Sequence, residues 1–134
     1  KKMGPRTVLG TRSVDSARIP ELRSERGIVD YDGIYKADTV LVPLEDGDRT
    51  EALVKMHKRV IAIDLNPLSR TSRAATITVV DNLIRALPAM AMEAKRLKQQ
   101  NGEILKRIVN EFDNSKNLSE SLEIIRCGVH ARHR

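Results

Sequence analysis

Three polar segments hold most of the side chains able to bind a ligand or move charge. The first is Glu45-Asp46-Gly47-Asp48-Arg49-Thr50, which follows an apolar run. Gly47 lets the backbone turn tightly and approach a ligand closely. Asp48 or Thr50 is placed to cap a following helix, whose exposed N–H groups attract anions. Arg49 adds a planar fork of donors suited to phosphate or carboxylate. Asp46 or Asp48 has the hard oxygen chemistry to hold a sugar hydroxyl or a magnesium ion. The same residues also suit an ordinary strand-to-helix turn with a capping Asp, and local spacing leaves both readings open. The second segment, Asp64-Leu65-Asn66-Pro67-Leu68-Ser69-Arg70-Thr71, starts from another apolar run. An Asp at a strand terminus is a usual place for ribose recognition. Asn66 suits a loop before Pro67, and Ser69, Arg70 and Thr71 either bind phosphate or solvate a turn. Asp81-Asn82 closes the third.

Several chemistries find no support. Neither a Gly-x-x-x-x-Gly-Lys-Ser/Thr phosphate loop nor a Gly-x-Gly-x-x-Gly dinucleotide turn is present. The three His (His57, His130, His133) and the single Cys127 are scattered without metal-ligand spacing. No Ser-His-Asp order is defensible and no general base can be named, so the catalytic residues are unknown and no resident metal is expected. His57 near a helix end reads as a surface cap, and Cys127 as a buried or semi-buried small side chain. Arg6, Arg12, Arg18, Arg23 and Arg26 in the first quarter are either solvated surface or an anion clamp.

The elements that would position these groups follow from periodicity. Thr39-Val40-Leu41-Val42-Pro43-Leu44, Arg59 to Leu65 and Thr76 to Asp81 are short β-branched runs, as expected of buried parallel strands. Between the first two, Thr50 to His57 has helical spacing. Strand, helix, strand is a βαβ unit, and ligands bind such sheets beyond the carboxyl ends of the strands. The three polar segments are those ends, so they are expected to converge on one rim.

From Asn82 onward apolar residues recur at helical steps. Pro88 is expected to kink or restart the first helix. Asn101-Gly102 marks a break before a stripe of Ile104, Leu105, Ile108, Val109 and Phe112. Asn117 with Glu120 resembles a capping box opening a helix over Leu118 to Arg126, with Gly128 as its C-terminal cap and a frayed basic tail beyond. Met90 and Met92 with Leu87 read as core or subunit interface. Thr7-Val8-Leu9 is a further short strand candidate. The whole is expected to be one α/β domain over residues 1–134: a loop-rich arginine segment (1–36), a βαβ nucleotide-binding core (37–82) and a helical region (83–134). The fold class is a Rossmann-like parallel sheet with flanking helices and a helical C-terminal region.

Composition bounds the partners. With 134 residues the chain can bury a real core. Lys plus Arg is 24 and Asp plus Glu is 18, giving +6, a moderate excess that suits a small anionic ligand as well as nucleic acid. Aromatics are 2% of residues (Phe112, Tyr31, Tyr35, no Trp), so base-stacking surfaces are disfavoured. One cysteine fits a reducing compartment, and no run approaches the roughly 20 apolar residues of a membrane span. No nucleic-acid or membrane partner is expected. The first residue is Lys1 rather than Met, consistent with a piece of a longer chain.

Taken together, Arg18 to Gly27, Ala37 to Leu53 and Ile63 to Thr71, with Val80-Asp81-Asn82, Arg85-Ala86 and Pro88, closely resemble the archaeal 4-phosphopantoate–β-alanine ligase family, also called phosphopantothenate synthetases. The match runs from about Arg6 to about Leu97. The resemblance implies an ATP-dependent ligase of coenzyme A biosynthesis that condenses 4-phosphopantoate with β-alanine to 4′-phosphopantothenate, giving AMP and diphosphate. It implies a cytoplasmic homodimer, with magnesium accompanying ATP. Glu45, Asp46, Gly47, Asp48, Arg49 and Thr50, with Asp64, Leu65 and Asn66, would be the ATP-binding pieces. Arg23 and Arg26, together with Ser69, Arg70 and Asn82, would face the other substrates. The family's chain is roughly twice as long, which makes this its C-terminal half. The alternative is a non-catalytic nucleotide-binding α/β module.

Overall fold

The computed structural model describes Leu9 and residues 15–131; the strand candidate Thr7-Val8-Leu9 lies almost wholly outside them. A short antiparallel hairpin comes first, β1 (Ser16–Arg18) with β2 (Ile28–Asp30). It is closed by a 3-10 turn at Glu25–Gly27 and followed by a kinked helical segment, Tyr31–Tyr35. The chain then builds β3 (Thr39–Val42), α1 (Gly47–Lys55), β4 (Arg59–Ile63), α2 (Arg70–Ala74) and β5 (Ile77–Val79). The three strands pair in parallel in the order β3-β4-β5, with Leu41 opposite Ile61 and Ile61 opposite Ile77. Three helices follow among the described residues: α3 (Leu83–Leu97), α4 (Gly102–Glu111) and α5 (Asn114–Ala131). The expected parallel sheet with flanking helices is therefore present.

One face of the sheet makes the core. Val40, Val42, Val60 and Ala62 meet Ala52 and Leu53 of α1, and Ile19 and Val29 of the hairpin region close the side. Ile19, Leu53 and Val60 are wholly buried, each worth about 1.5–3 kcal/mol relative to exposure. The sequence marks this region only as loop-rich with short strands, because three-residue strands are too short to show alternation. Its compactness rests on Arg18, whose Nη1 donates to the carbonyls of Leu22, Arg23 and Ser24 at 3.0, 3.3 and 3.1 Å. Gly27 is fixed by space: a Cβ there would lie 2.4 Å from the Leu22 carbonyl oxygen.

The edge strand β5 is finished by side chains rather than by another strand. The Thr78 N–H donates to Asn114 Oδ1 at 2.9 Å, and Asn114 Nδ2 donates to the carbonyls of Ser72 and Ala75 at 2.9 and 3.1 Å. Asn117 Nδ2 donates to the Thr78 carbonyl at 2.9 Å. These bonds dock α5 against the sheet edge.

Four expectations are corrected in the helical region. Pro88 does not interrupt α3, which runs unbroken through it. The last helix starts at Asn114, where Asp113 accepts the Lys116 N–H at 3.1 Å, so Asn117 is a docking residue and not a cap. Gly128 lies inside that helix, which continues into the basic tail as far as Ala131. Cys127 is exposed. His57, by contrast, does end α1: it takes a left-handed backbone with φ 59°, a position where polar residues are tolerated after a helix.

Candidate functional site

The three polar segments converge. Pro43, Leu44 and Glu45 after β3, Ile63, Asp64 and Leu65 around the end of β4, and Asp81, Asn82 and Leu83 after β5 line one cavity of about 310 Å3. A second opening, lined by Arg26, Glu45, Asp46, Gly47, Asp48 and Arg70, shares Glu45 with it. This rim is the carboxyl end of the parallel sheet, where open α/β folds bind ligands.

Each strand end leads through a short loop into a capped helix. Asp46, and not Asp48 or Thr50, caps α1, accepting the Arg49 N–H through Oδ1 at 3.2 Å. Ser69 caps α2 by accepting the Ser72 N–H at 3.0 Å. Asn82 caps α3 by accepting the Arg85 N–H at 3.0 Å. Three helix N-termini are thus gathered at one rim, and their dipoles make it favourable to anions. The local cause is the same in each case: a short polar side chain after an apolar strand accepts the N–H three residues on, one of the free donors of the helix's first turn.

Hydrogen bonds lock the loops together. The Asp46 N–H donates to Thr71 Oγ1 at 3.0 Å, tying the start of α1 to α2. Asp64 is nearly buried; its carboxylate accepts the Asn66 N–H at 2.9 Å and the Ser69 hydroxyl, which fixes the β4–α2 turn. Asn66 Oδ1 accepts the Leu68 N–H at 3.0 Å. Gly47 answers to this packing, since a Cβ there would come within 2.9 Å of Arg70 Cβ. Its role is close approach between α1 and α2.

The charges at the rim are matched. Arg26 pairs with Asp46, while Arg49 donates from Nη2 to the Arg26 carbonyl at 2.9 Å and holds Nε 3.6 Å from Asp46 Oδ2. Arg70 donates to both Glu51 oxygens at 3.0 Å and to Asp48 at 2.8 Å. Burial pushes the Asp46 carboxyl up, but the Arg26 bond, the Arg49 N–H and both guanidinium charges outweigh this and hold it below the usual carboxylate range. The Arg70 bond likewise lowers Glu51 despite its partial desolvation.

The sequence-predicted residues divide accordingly. Glu45, Asp46, Gly47, Asp48, Asp64, Leu65, Asn82, Arg26 and Arg70 line the rim cavities. Asn66 and Ser69 shape the turn beneath it. Arg49 lines a separate cavity beside β3, and Thr50 is wholly buried. Arg23 is exposed and lines a polar cleft with Glu21, Asp48 and Glu51. Sequence reasoning missed two ties. Thr71, left open between binding phosphate and solvating a turn, is buried and bonded to the Asp46 N–H, and Glu51 was not singled out although it holds Arg70. Among the described residues no group of three or more His, Cys, Asp or Glu could hold a metal ion.

The chain matches the family model described as phosphopantothenate/pantothenate synthetase over residues 1–128. It belongs to that family. Relatives of the synthetase family named 4-phosphopantoate–β-alanine ligase include one from Thermococcus kodakarensis, 60% identical over 109 residues that make 81% of this chain and 42% of that protein. Another, from Methanosarcina mazei, is 51% identical over 125 residues, 93% of this chain and 48% of that one. A third, from Methanospirillum hungatei, is 44% identical over 126 residues, 94% and 49% of the two chains. The chain therefore spans about half the length of the curated relatives it matches. Among the described residues, no helix of this synthetase-family chain is long and apolar enough to cross a membrane.

Proposed function

We propose that this chain is the nucleotide-binding half of a 4-phosphopantoate–β-alanine ligase, making 4′-phosphopantothenate for coenzyme A biosynthesis with release of AMP and diphosphate. One observation carries the reading: three strand ends and three helix N-termini meet at a single rim in a chain 60% identical to a ligase of that name.

In this reading ATP lies along the rim. Asp64 and Leu65 border the nucleoside, and the start of α1 with Asp46, Gly47 and Asp48 receives phosphates. Arg26 and Arg70 supply the mobile positive charge; both side chains are more than half exposed and, among the described residues, bonded to carboxylates that a phosphate can replace. Magnesium accompanies ATP. Glu45 or Asp48 at the rim would offer it a carboxylate, and the ion would supply positive charge beside the phosphates.

The chemistry follows from charge. A carboxylate oxygen of phosphopantoate attacks the α-phosphorus, diphosphate leaves, and an acyl-adenylate forms. The β-alanine amine then attacks the acyl carbon, AMP leaves with the former carboxylate oxygen, and the amine loses a proton. The first step brings two anions together, which helix N-termini and guanidinium groups make possible. Holding amine and adenylate side by side supplies much of the second.

Such an enzyme works in the cytoplasm as a homodimer. The surface supporting dimerisation is the outer stripe of α3 and α4, where Ile84 is 85% and Met92 68% exposed and Leu87, Ile108, Val109 and Phe112 are also open. Large apolar side chains left open on successive helices suit an interface. The test of the function is product formation by the full-length protein. AMP should appear only when ATP, 4-phosphopantoate and β-alanine are all present. Nucleotide binding with no AMP under those conditions would indicate a non-catalytic module instead.

A further inference from the structure

The sheet has a second face, and it is only partly covered. Side chains alternate along each strand, so Val40, Val42, Val60, Ala62 and Thr78 point into the core while Leu41, Ile61 and Ile77 stand together on the opposite side. These three are in register across all three strands. Leu41 is 43% exposed, and Ile61, Ile77 and Val79 are half-buried. Ile63, at the rim end of that face, is closed off, and toward the amino ends the cover is incomplete, most of all at Leu41. At its margin, Leu41 and Thr39 also border a cavity of about 500 Å3 whose further walls include Ile28 and Ile34.

An open face is out of place on a parallel sheet. Parallel strands are connected by crossovers and occur almost only with both faces covered, typically by helices. Here Ala52 and Leu53 of α1 pack on the core face and Asn114 and Asn117 of α5 hold the β5 edge. Aliphatic residues lined up in register across three strands are what a buried face requires. The relatives supply the missing material: this chain spans only 42–49% of their length.

We propose that the Leu41–Ile61–Ile77 face is the docking surface for the part of the full-length protein that this chain does not span. The occupant is an apolar helical surface of that part, with one of its side chains filling the cavity between Leu41, Ile28 and Ile34. The proposal concerns packing and does not depend on the ligase reading, so its test needs no turnover.

The experiment is site-resolved alkylation of the native full-length protein. Leu41→Cys and Ile77→Cys are compared with Ser119→Cys, a control on the exposed side of α5. A maleimide is used, and the labelled peptides are quantified by mass spectrometry. The thiols introduced at positions 41 and 77 should react about 100-fold more slowly than the control, as for groups reached only by opening of the structure. That protection should not change on dilution. Reaction at rates near the control overturns the proposal. Protection lost on dilution also overturns it, because a second copy of the protein would then be the cover. If either variant fails to fold, carbene footprinting of wild-type Leu41 and Ile77 reads the same face. Low labelling supports the proposal, and labelling equal to that of exposed Ile124 refutes it.

Discussion

The hydroxyl of Thr71 accepts the backbone N–H of Asp46 at 3.0 Å across the 25 residues that separate them in sequence. Thr71 is wholly buried, so this bond fixes the start of α1 relative to α2 from beneath the rim. Thr71→Val keeps the shape and removes the acceptor, leaving the Asp46 N–H without a partner. The expected loss is about 1–3 kcal/mol of stability, measured by urea unfolding of the full-length protein, with weaker ATP binding. Thr71→Ser keeps the hydroxyl and should recover most of both.

Magnesium dependence follows from the balance of charge at the rim. Arg26 and Arg70 are each bonded to acids, and Asp46, Asp48 and Glu51 surround them. A bare triphosphate meets that acidic surround, whereas a magnesium complex carries less negative charge. Calorimetry with ATP should give at least about tenfold weaker binding when magnesium is chelated, a difference of about 1.4 kcal/mol. Equal affinity with and without the ion would count against this placement of the phosphates.

Asp46 predicts an acid limb of stability. Its folded pKa is held below the ordinary value of 3.8, so its contribution is fully present above that value and is lost as pH falls through the depressed one. The stability difference between wild type and Asp46→Asn should be constant near neutrality and shrink below about pH 4. Denaturant unfolding across that range measures it. A difference that grows on acidification would reverse the assignment.

Asn114 carries the attachment of α5. Asn114→Ala removes the acceptor for the Thr78 N–H and the donor to two carbonyls. The expected cost is about 1–3 kcal/mol, and faster hydrogen exchange at Thr78 than at core residues of β4 should accompany it. A stability change within about 0.5 kcal/mol, the scale of an uninvolved surface position, would mean that α5 is held by other contacts.

Much of the fold was legible because its signals are local. The runs Thr39 to Leu44, Arg59 to Leu65 and Thr76 to Asp81 are apolar and β-branched, and each became a strand. The convergence of Glu45, Asp64 and Asn82 followed from the topology of parallel sheets. What escaped depends on partners distant in sequence. The sequence points to Asp48 or Thr50 as the cap of α1; that Asp46 takes the position instead rests on where α1 begins, which no local spacing marks. The bond from Asp46 to Thr71, the clamp of Arg70 on Glu51 and the attachment through Asn114 join segments 19 to 42 residues apart, and no periodicity marks them. The hairpin of β1 and β2 was hidden for another reason: its strands are three residues long, too short to show alternation, and the loop between them is held by Arg18 on three carbonyls.

The central claim is that the rim joins a carboxylate to the α-phosphate of ATP, and isotope transfer tests it most directly. Full-length protein is given 4-phosphopantoate labelled with ¹⁸O in its carboxylate, together with ATP, magnesium and β-alanine, and the nucleotide product is analysed by mass spectrometry. The account predicts one ¹⁸O in each AMP formed and none in diphosphate. Label appearing in inorganic phosphate alongside ADP, or AMP formed without label, would contradict it.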